Sequence, residues 1–143
     1  MVASDHRTYV YVGLAGEGDY IGEGGIVRRG DDEEQWRDIS KGLPENAQVR
    51  GLAIRPDDPK IVFAGTDTGV YRSKDRGDTW EALNDTTSGH EVWSLAIHPD
   101  NPNVILAGYE PCSISRSEDG GDTWKIMDTS QVVYPHITTY MPP

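Results

Sequence analysis

At 143 residues the chain has the length of one domain. Its net charge of −11 and pI of about 4.6 argue against a nucleic-acid backbone or an anionic membrane surface as partner, and leave cationic, neutral or sugar ligands. One cysteine, Cys112, excludes an intrachain disulfide and a cysteine-rich zinc site. The stretch Met1–His6 has no apolar signal core, and no apolar run approaches a membrane span. The expectation is a soluble cytoplasmic chain, with secretion left open.

Sixteen glycines, nine prolines and 36% hydrophobic residues suit an all-β chain rich in turns. Thr8–Gly13 reads as a buried strand. Gly16–Gly25 follows as a long glycine-rich loop, then a strand at Ile26–Arg29 and another opened by Trp36. Ser40–Asn46 is a turn-rich connection. Val49–Ile54 alternates as a strand should, Pro56–Pro59 turns the chain, and Ile61–Gly65 returns. Thr66–Gly69 turns again into Val70–Ser73, and Trp80–Leu83 is a fourth strand. We label the four strands of such a unit A, B, C and D. The order repeats from Val92–Ile97 through Pro99–Pro102, Val104–Gly108 and Ile114–Ser117 to Trp124–Met127. Tyr109–Ser113 joins B to C there with one residue more. His136–Tyr140 falls where a further A strand belongs.

The strongest internal signal lies between C and D. Ser73, Asp75, Gly77, Thr79 and Trp80 form the pattern Ser-x-Asp-x-Gly-x-Thr-Trp, and Ser117, Asp119, Gly121, Thr123 and Trp124 form it again, 44 residues on. One further step back reaches Trp36, behind an eroded copy that keeps Asp31. A period of this size points to a propeller or solenoid. The short polar side chains bond backbone N–H groups inside a tight turn, and glycine supplies a positive φ. The tryptophan is a large apolar anchor, expected between neighbouring sheets with its N–H bonded. All three tryptophans are then expected in like surroundings.

Four short antiparallel strands per unit make a propeller blade. The fold class is therefore all-β, a partial propeller of about three blades at 8–39, 49–83 and 92–127, with the start of another at 136–143. Three blades do not close a ring, since propellers typically have about 4–8. Either further blades follow in a longer chain, or copies assemble head to tail, two chains giving six blades.

The repeated motif resembles the Asp-box, or BNR repeat. That repeat occurs in sialidase-like, sortilin-type and xyloglucanase-like propellers and in a photosystem assembly factor. The resemblance implies a propeller whose boxes are structural and sit on the rim. It also implies ligand sites on the opposite face, formed by the B–C loops and D–A connections. Polar and aromatic candidates there are Glu17, Asp19, Tyr20, Glu23, Asp67, His90, Glu91, Tyr109, Glu110 and His136. Acids beside aromatics suit carbohydrate binding, or hydrolysis by two carboxylates. Glu17, Asp19 and Glu23 also have the oxygen chemistry for Ca²⁺, although a solvated loop is the simpler reading and no metal or cofactor is expected. Trp93, at a strand position, is expected in the core. Arg28, Arg72 and Arg116 recur at one repeat position, which suggests blade-to-blade ion pairs.

No catalytic residue is assigned. Resemblance to a sialidase would imply an arginine cluster, one arginine lying in a Phe-Arg-Ile-Pro-like segment, and a Tyr–Glu nucleophile pair, and no such segment occurs in the sequence. The leading expectation is a binding or scaffold module, with a carbohydrate or protein ligand. The alternatives are a glycoside hydrolase needing further blades, and a sorting or assembly factor that holds a polypeptide.

Overall fold

The computed structural model describes residues 7–16, 24–83, 89–110 and 112–130. All regular structure among them is strand. In chain order the strands are β1 (Tyr9–Leu14), β2 (Gly25–Gly30), β3 (Arg37–Asp38), β4 (Val49–Ile54), β5 (Val62–Thr66), β6 (Gly69–Ser73), β7 (Glu81–Ala82), β8 (Glu91–Ile97), β9 (Ile105–Glu110), β10 (Ser113–Ser117) and β11 (Lys125–Ile126). They form three antiparallel sheets, ordered β1-β2-β3, β4-β5-β6-β7 and β8-β9-β10-β11. The second and third sheets are the expected A-B-C-D units. The first begins at the B position among the described residues. The further unit expected at 136–143 lies outside them.

Successive side chains on a strand point to opposite faces, so each sheet has a front, toward the preceding sheet, and a rear, toward the following one. The first interface sets Ile26 and Ile39 on the rear of the first sheet against Val62, Ala64, Tyr71 and Trp80 on the front of the second. The second interface repeats it, with Phe63 and Val70 against Ile105, Ala107, Tyr109 and Trp124. Burying each such large side chain contributes about 1.5–3 kcal/mol. The core is therefore two layers between sheets. Two arginines clip the outer ends of these layers. Arg28 donates to the Arg76 carbonyl and lies 3.2 Å from Asp78, and Arg72 donates to the Gly120 carbonyl at 3.1 Å and to Asp122 at 2.7 Å.

The turns between C and D explain the motif atom by atom. The Ser73 hydroxyl accepts the Gly77 N–H at 2.7 Å and donates to Asp75 at 2.8 Å. Asp75 accepts the Thr79 N–H at 2.8 Å on one oxygen and the Thr79 hydroxyl at 2.6 Å on the other. Ser117, Asp119, Gly121 and Thr123 repeat every one of these bonds. Gly77 and Gly121 take φ of 91° and 96°, a conformation that favours glycine. The eroded turn is held differently: Glu33 accepts the Gly30 N–H at 2.7 Å, and Arg7 donates to Asp32 at 2.6 Å.

These bonds favour the charged carboxylate. The Thr123 hydroxyl, then its N–H, hold Asp119 down to about 2, and at Asp75 the bonds from Thr79 and Ser73 outweigh the opposing effect of burial. A depressed folded-state pKa stabilises above the unfolded value of about 4, and the gain is lost as pH falls through the folded value. We expect stability to fall between about pH 4 and pH 2, and Asp119→Asn to flatten that fall relative to the parent. Urea midpoints across that pH range read the difference.

The tryptophans do not all share one environment. Trp80 and Trp124 are 6% and 5% exposed, with Nε1–H donated to the Ile39 and Gly121 carbonyls at 2.7 and 3.0 Å. Trp36 is 45% exposed, with the Arg29 guanidinium 5.2 Å from its ring centre. The reason is position: Trp36 lies on the front of the first sheet, and among the described residues nothing precedes that sheet. Arg116 likewise departs from its two counterparts, pairing with Glu118 of its own turn at 3.1 Å.

Candidate functional site

The rim and the opposite face separate as expected. The C–D turns bond the A–B turns, Arg76 N–H to Lys60 O and Gly120 N–H to Asn103 O, each at 2.9 Å. At the other end the B–C turn of the second sheet is tied to the start of its A strand. The Gln48 N–H donates to the Asp67 carboxylate at 2.9 Å, and the Asp67 N–H donates back to the Gln48 carbonyl at 3.2 Å. The Gln48 amide oxygen also accepts the Gly16 N–H at 2.5 Å, which anchors the stem of the glycine-rich loop.

Both complete A strands carry a register shift at one place. In β4 the pairing with β5 jumps between Val49 and Gly51, and in β8 the pairing with β9 jumps between Val92 and Ser94. The residues passed over, Arg50 and Trp93, stand at equivalent positions 43 residues apart. A bulge re-aims the side chain it carries. Here the two side chains meet, the Arg50 guanidinium 4.6 Å from the Trp93 ring centre. Arg50 Nη1 is 3.1 Å from Glu91 Oε2, and it makes no hydrogen bond of good geometry among the described residues. Glu91 stands directly across the ladder from Glu110. An arginine, a tryptophan and two acids are thereby gathered at the end of the inner strands, on the face that carries the B–C loops.

The bulge corrects the expectation for Trp93, which is not in the core but 49% exposed. Of the other candidates, Glu91 and Glu110 are brought together. His90 is exposed beside Glu91. Asp67 is engaged in closing its own turn. Tyr109 is buried in the second interface, its hydroxyl 2.8 Å from the Ser115 hydroxyl, and so faces the neighbouring sheet rather than a ligand. Glu17, Asp19, Tyr20, Glu23 and His136 lie outside the described residues. Sequence reasoning missed Arg50. The available signal was a bulky residue followed by a small one, Arg50-Gly51 and Trp93-Ser94, at one repeat position.

Wherever the fold visibly displaces the titration of a described carboxyl, the displacement is downward. The groups are Asp57 beside Arg55, Glu81 beside Lys74, Asp128 beside the Ser130 N–H, and the two box aspartates. Among the described residues no group of three or more His, Cys, Asp or Glu side chains is placed to hold a metal ion. No helix among them is long and apolar enough to cross a membrane.

No protein-family model and no curated protein matches the sequence. Solved structures do. The GH74 xyloglucanase from Xanthomonas campestris superposes with a TM-score of 0.62 at 21% identity, over 87% of this chain and 22% of its own. An ancestral GH74 enzyme gives 0.63 at 22%, over 72% of this chain and 15% of its own. YCF48 bound to D1 peptide gives 0.58 at 13%, over 82% of this chain and 42% of its own. The chain thus spans about a fifth or less of those GH74 enzymes and under half of that YCF48 chain. With the internal repeat and the bonding of its turns, the likeness fixes the architecture: the chain folds as consecutive Asp-box blades of a β-propeller.

Proposed function

We propose that the chain acts as a non-catalytic binding module, with its ligand held against Trp93, Arg50, Glu91 and Glu110. The observation that carries this reading is the pair of matched bulges, which turn a large aromatic out of one regular ladder onto the surface and pack a largely buried cation from the other against its ring. An exposed indole offers a flat apolar face to a sugar ring or an apolar side chain. The flanking acids accept hydroxyls or cationic groups. Setting Glu91 opposite Glu110 costs the sheet some stability, because like charges face each other across the ladder. A ligand that bonds both acids offsets that cost. The overall acidity favours neutral or cationic ligands over phosphates.

The solved structures suggest two ligand chemistries to try, a xyloglucan oligosaccharide and the D1 peptide. Isothermal titration of each against the whole chain tests the reading. Binding by either, weakened at least about tenfold by Trp93→Ala and by Arg50→Ala with the fold retained, is the expected result. No binding, or binding indifferent to both changes, contradicts it.

A hydrolytic reading has one observation in its favour, the Glu91–Glu110 pair, since glycosidases use two carboxylates. Against it, Arg50 already forms an ion pair with Glu91, which commits one of the two carboxylates to a neighbour in the fold. Chromogenic glycosides turned over by the parent, and not by Glu91→Gln or Glu110→Gln, would reverse the order of the two readings.

A further inference from the structure

Nine large apolar side chains stand exposed among the described residues, and six of them form two faces: Val10, Val12 and Trp36 at one end of the stack, Leu106, Ile114 and Met127 at the other. Each has counterparts, by the repeat, inside the two interfaces. Val10, Val12 and Trp36 occupy the places of Val62, Ala64 and Trp80, the front of a blade. Leu106, Ile114 and Met127 occupy those of Phe63, Val70 and Leu83, the rear. Leu106 is 38% exposed where Phe63 is fully buried. The two open ends are thus the two halves of an interface the chain already makes twice.

The charges fit in the same way. In both interfaces an arginine from strand C of one blade reaches the C–D turn of the next, to an acid and to the carbonyl two residues before it: Arg28 to Asp78 and Arg76 O, Arg72 to Asp122 and Gly120 O. The third arginine of the series, Arg116, is on the open rear face, its side chain 43% exposed. The acid at the matching place in the first turn is Glu34, exposed on the open front. It lines a shallow groove of about 450 Å³ together with Glu33, Gln35, Trp36 and Arg37.

We propose that the front of the first blade receives the rear of the third blade of a second copy, with Arg116 bonding Glu34 and the Asp32 carbonyl across the join. Two chains then close a ring of six blades, within the usual range for propellers of about 4–8. The relation is head to tail and closes by a half-turn, so no open filament results.

Sedimentation equilibrium on the whole chain tests this. The expected mass is twice the 15.8 kDa of one chain. Arg116→Glu and Glu34→Arg are each expected to weaken the dimer about tenfold or more, and the double variant Arg116→Glu/Glu34→Arg to recover most of that loss. Both substituted positions, Glu34 and Arg116, are solvent-exposed in the isolated chain, and circular dichroism checks that each variant keeps its strands. A parent that stays at 15.8 kDa up to its solubility limit overturns the proposal. So does a dimer in which the charge exchange restores nothing.

Discussion

Trp80→Ala is expected to destabilise the chain by about 3–5 kcal/mol, a large share of the roughly 5–15 kcal/mol that holds an ordinary domain folded. The indole fills the first interface among Ile26, Ile39, Val62 and Tyr71, and its removal leaves a cavity between two sheets that are held apart by their own strands. It also orphans the Ile39 carbonyl, which accepts the indole N–H at 2.7 Å. A buried acceptor without a partner adds about 1–3 kcal/mol at most to the loss. Trp93→Ala removes the same number of atoms from a half-exposed bulge, so its effect on stability is expected to stay near or below about 1 kcal/mol. Urea unfolding followed by far-ultraviolet dichroism compares the two. Equal effects would mean that the indole of Trp80 is not wedged between sheets.

Gly65→Ala is expected to cost about 1–3 kcal/mol, through overpacking rather than through any cavity. Gly65 lies on β5 where Val92 of the next blade comes closest. A Cβ there would stand 2.6 Å from Val92 Cγ1, 3.1 Å from its Cβ and 3.3 Å from its carbonyl oxygen. Valine is stiff at χ1, so the methyl has no easy rotamer in which to withdraw, and the backbone oxygen has none at all. The same relation holds one blade earlier, where Gly13 meets Val49. The glycine at this position is thus what lets one blade's inner strand approach the next. Val92→Ala alone opens a small cavity, but in the Gly65→Ala background it is expected to recover part of the loss. That non-additive pair distinguishes contact between blades from a general effect of altered strand propensity.

Much of this was legible in the residues because turn chemistry is local. Ser73, Asp75, Gly77 and Thr79 bond one another within a few positions, so their spacing alone carries the turn, and its repetition carries the blade. Alternation along Ile61–Gly65 likewise sorts Val62 and Ala64 from Phe63. What escaped depends on partners far away in sequence or on a single inserted residue. A bulge adds one residue to one strand and leaves no mark in composition, so Trp93 read as core and Arg50 drew no notice. Tyr109 looked like a loop aromatic, yet its side-chain direction on β9 sends it into the second interface. Trp36 has the same identity as Trp80 and a different environment, because a residue's type does not say whether a sheet lies in front of it. Asp67 has the right chemistry for a ligand, but the nearby Gln48 N–H takes it first.

The central claim is that successive Asp-box sheets stack face to face with the tryptophan of one blade locked against its neighbour. Hydrogen exchange of the indole N–H protons, followed by NMR, tests it most directly. Bonded to Ile39 O and Gly121 O inside the two interfaces, the Trp80 and Trp124 protons should exchange slowly, at rates set by opening of the stack, while the Trp93 proton exchanges as fast as that of an exposed indole. Trp80 and Trp124 exchanging at the Trp93 rate in the folded chain would contradict the claim.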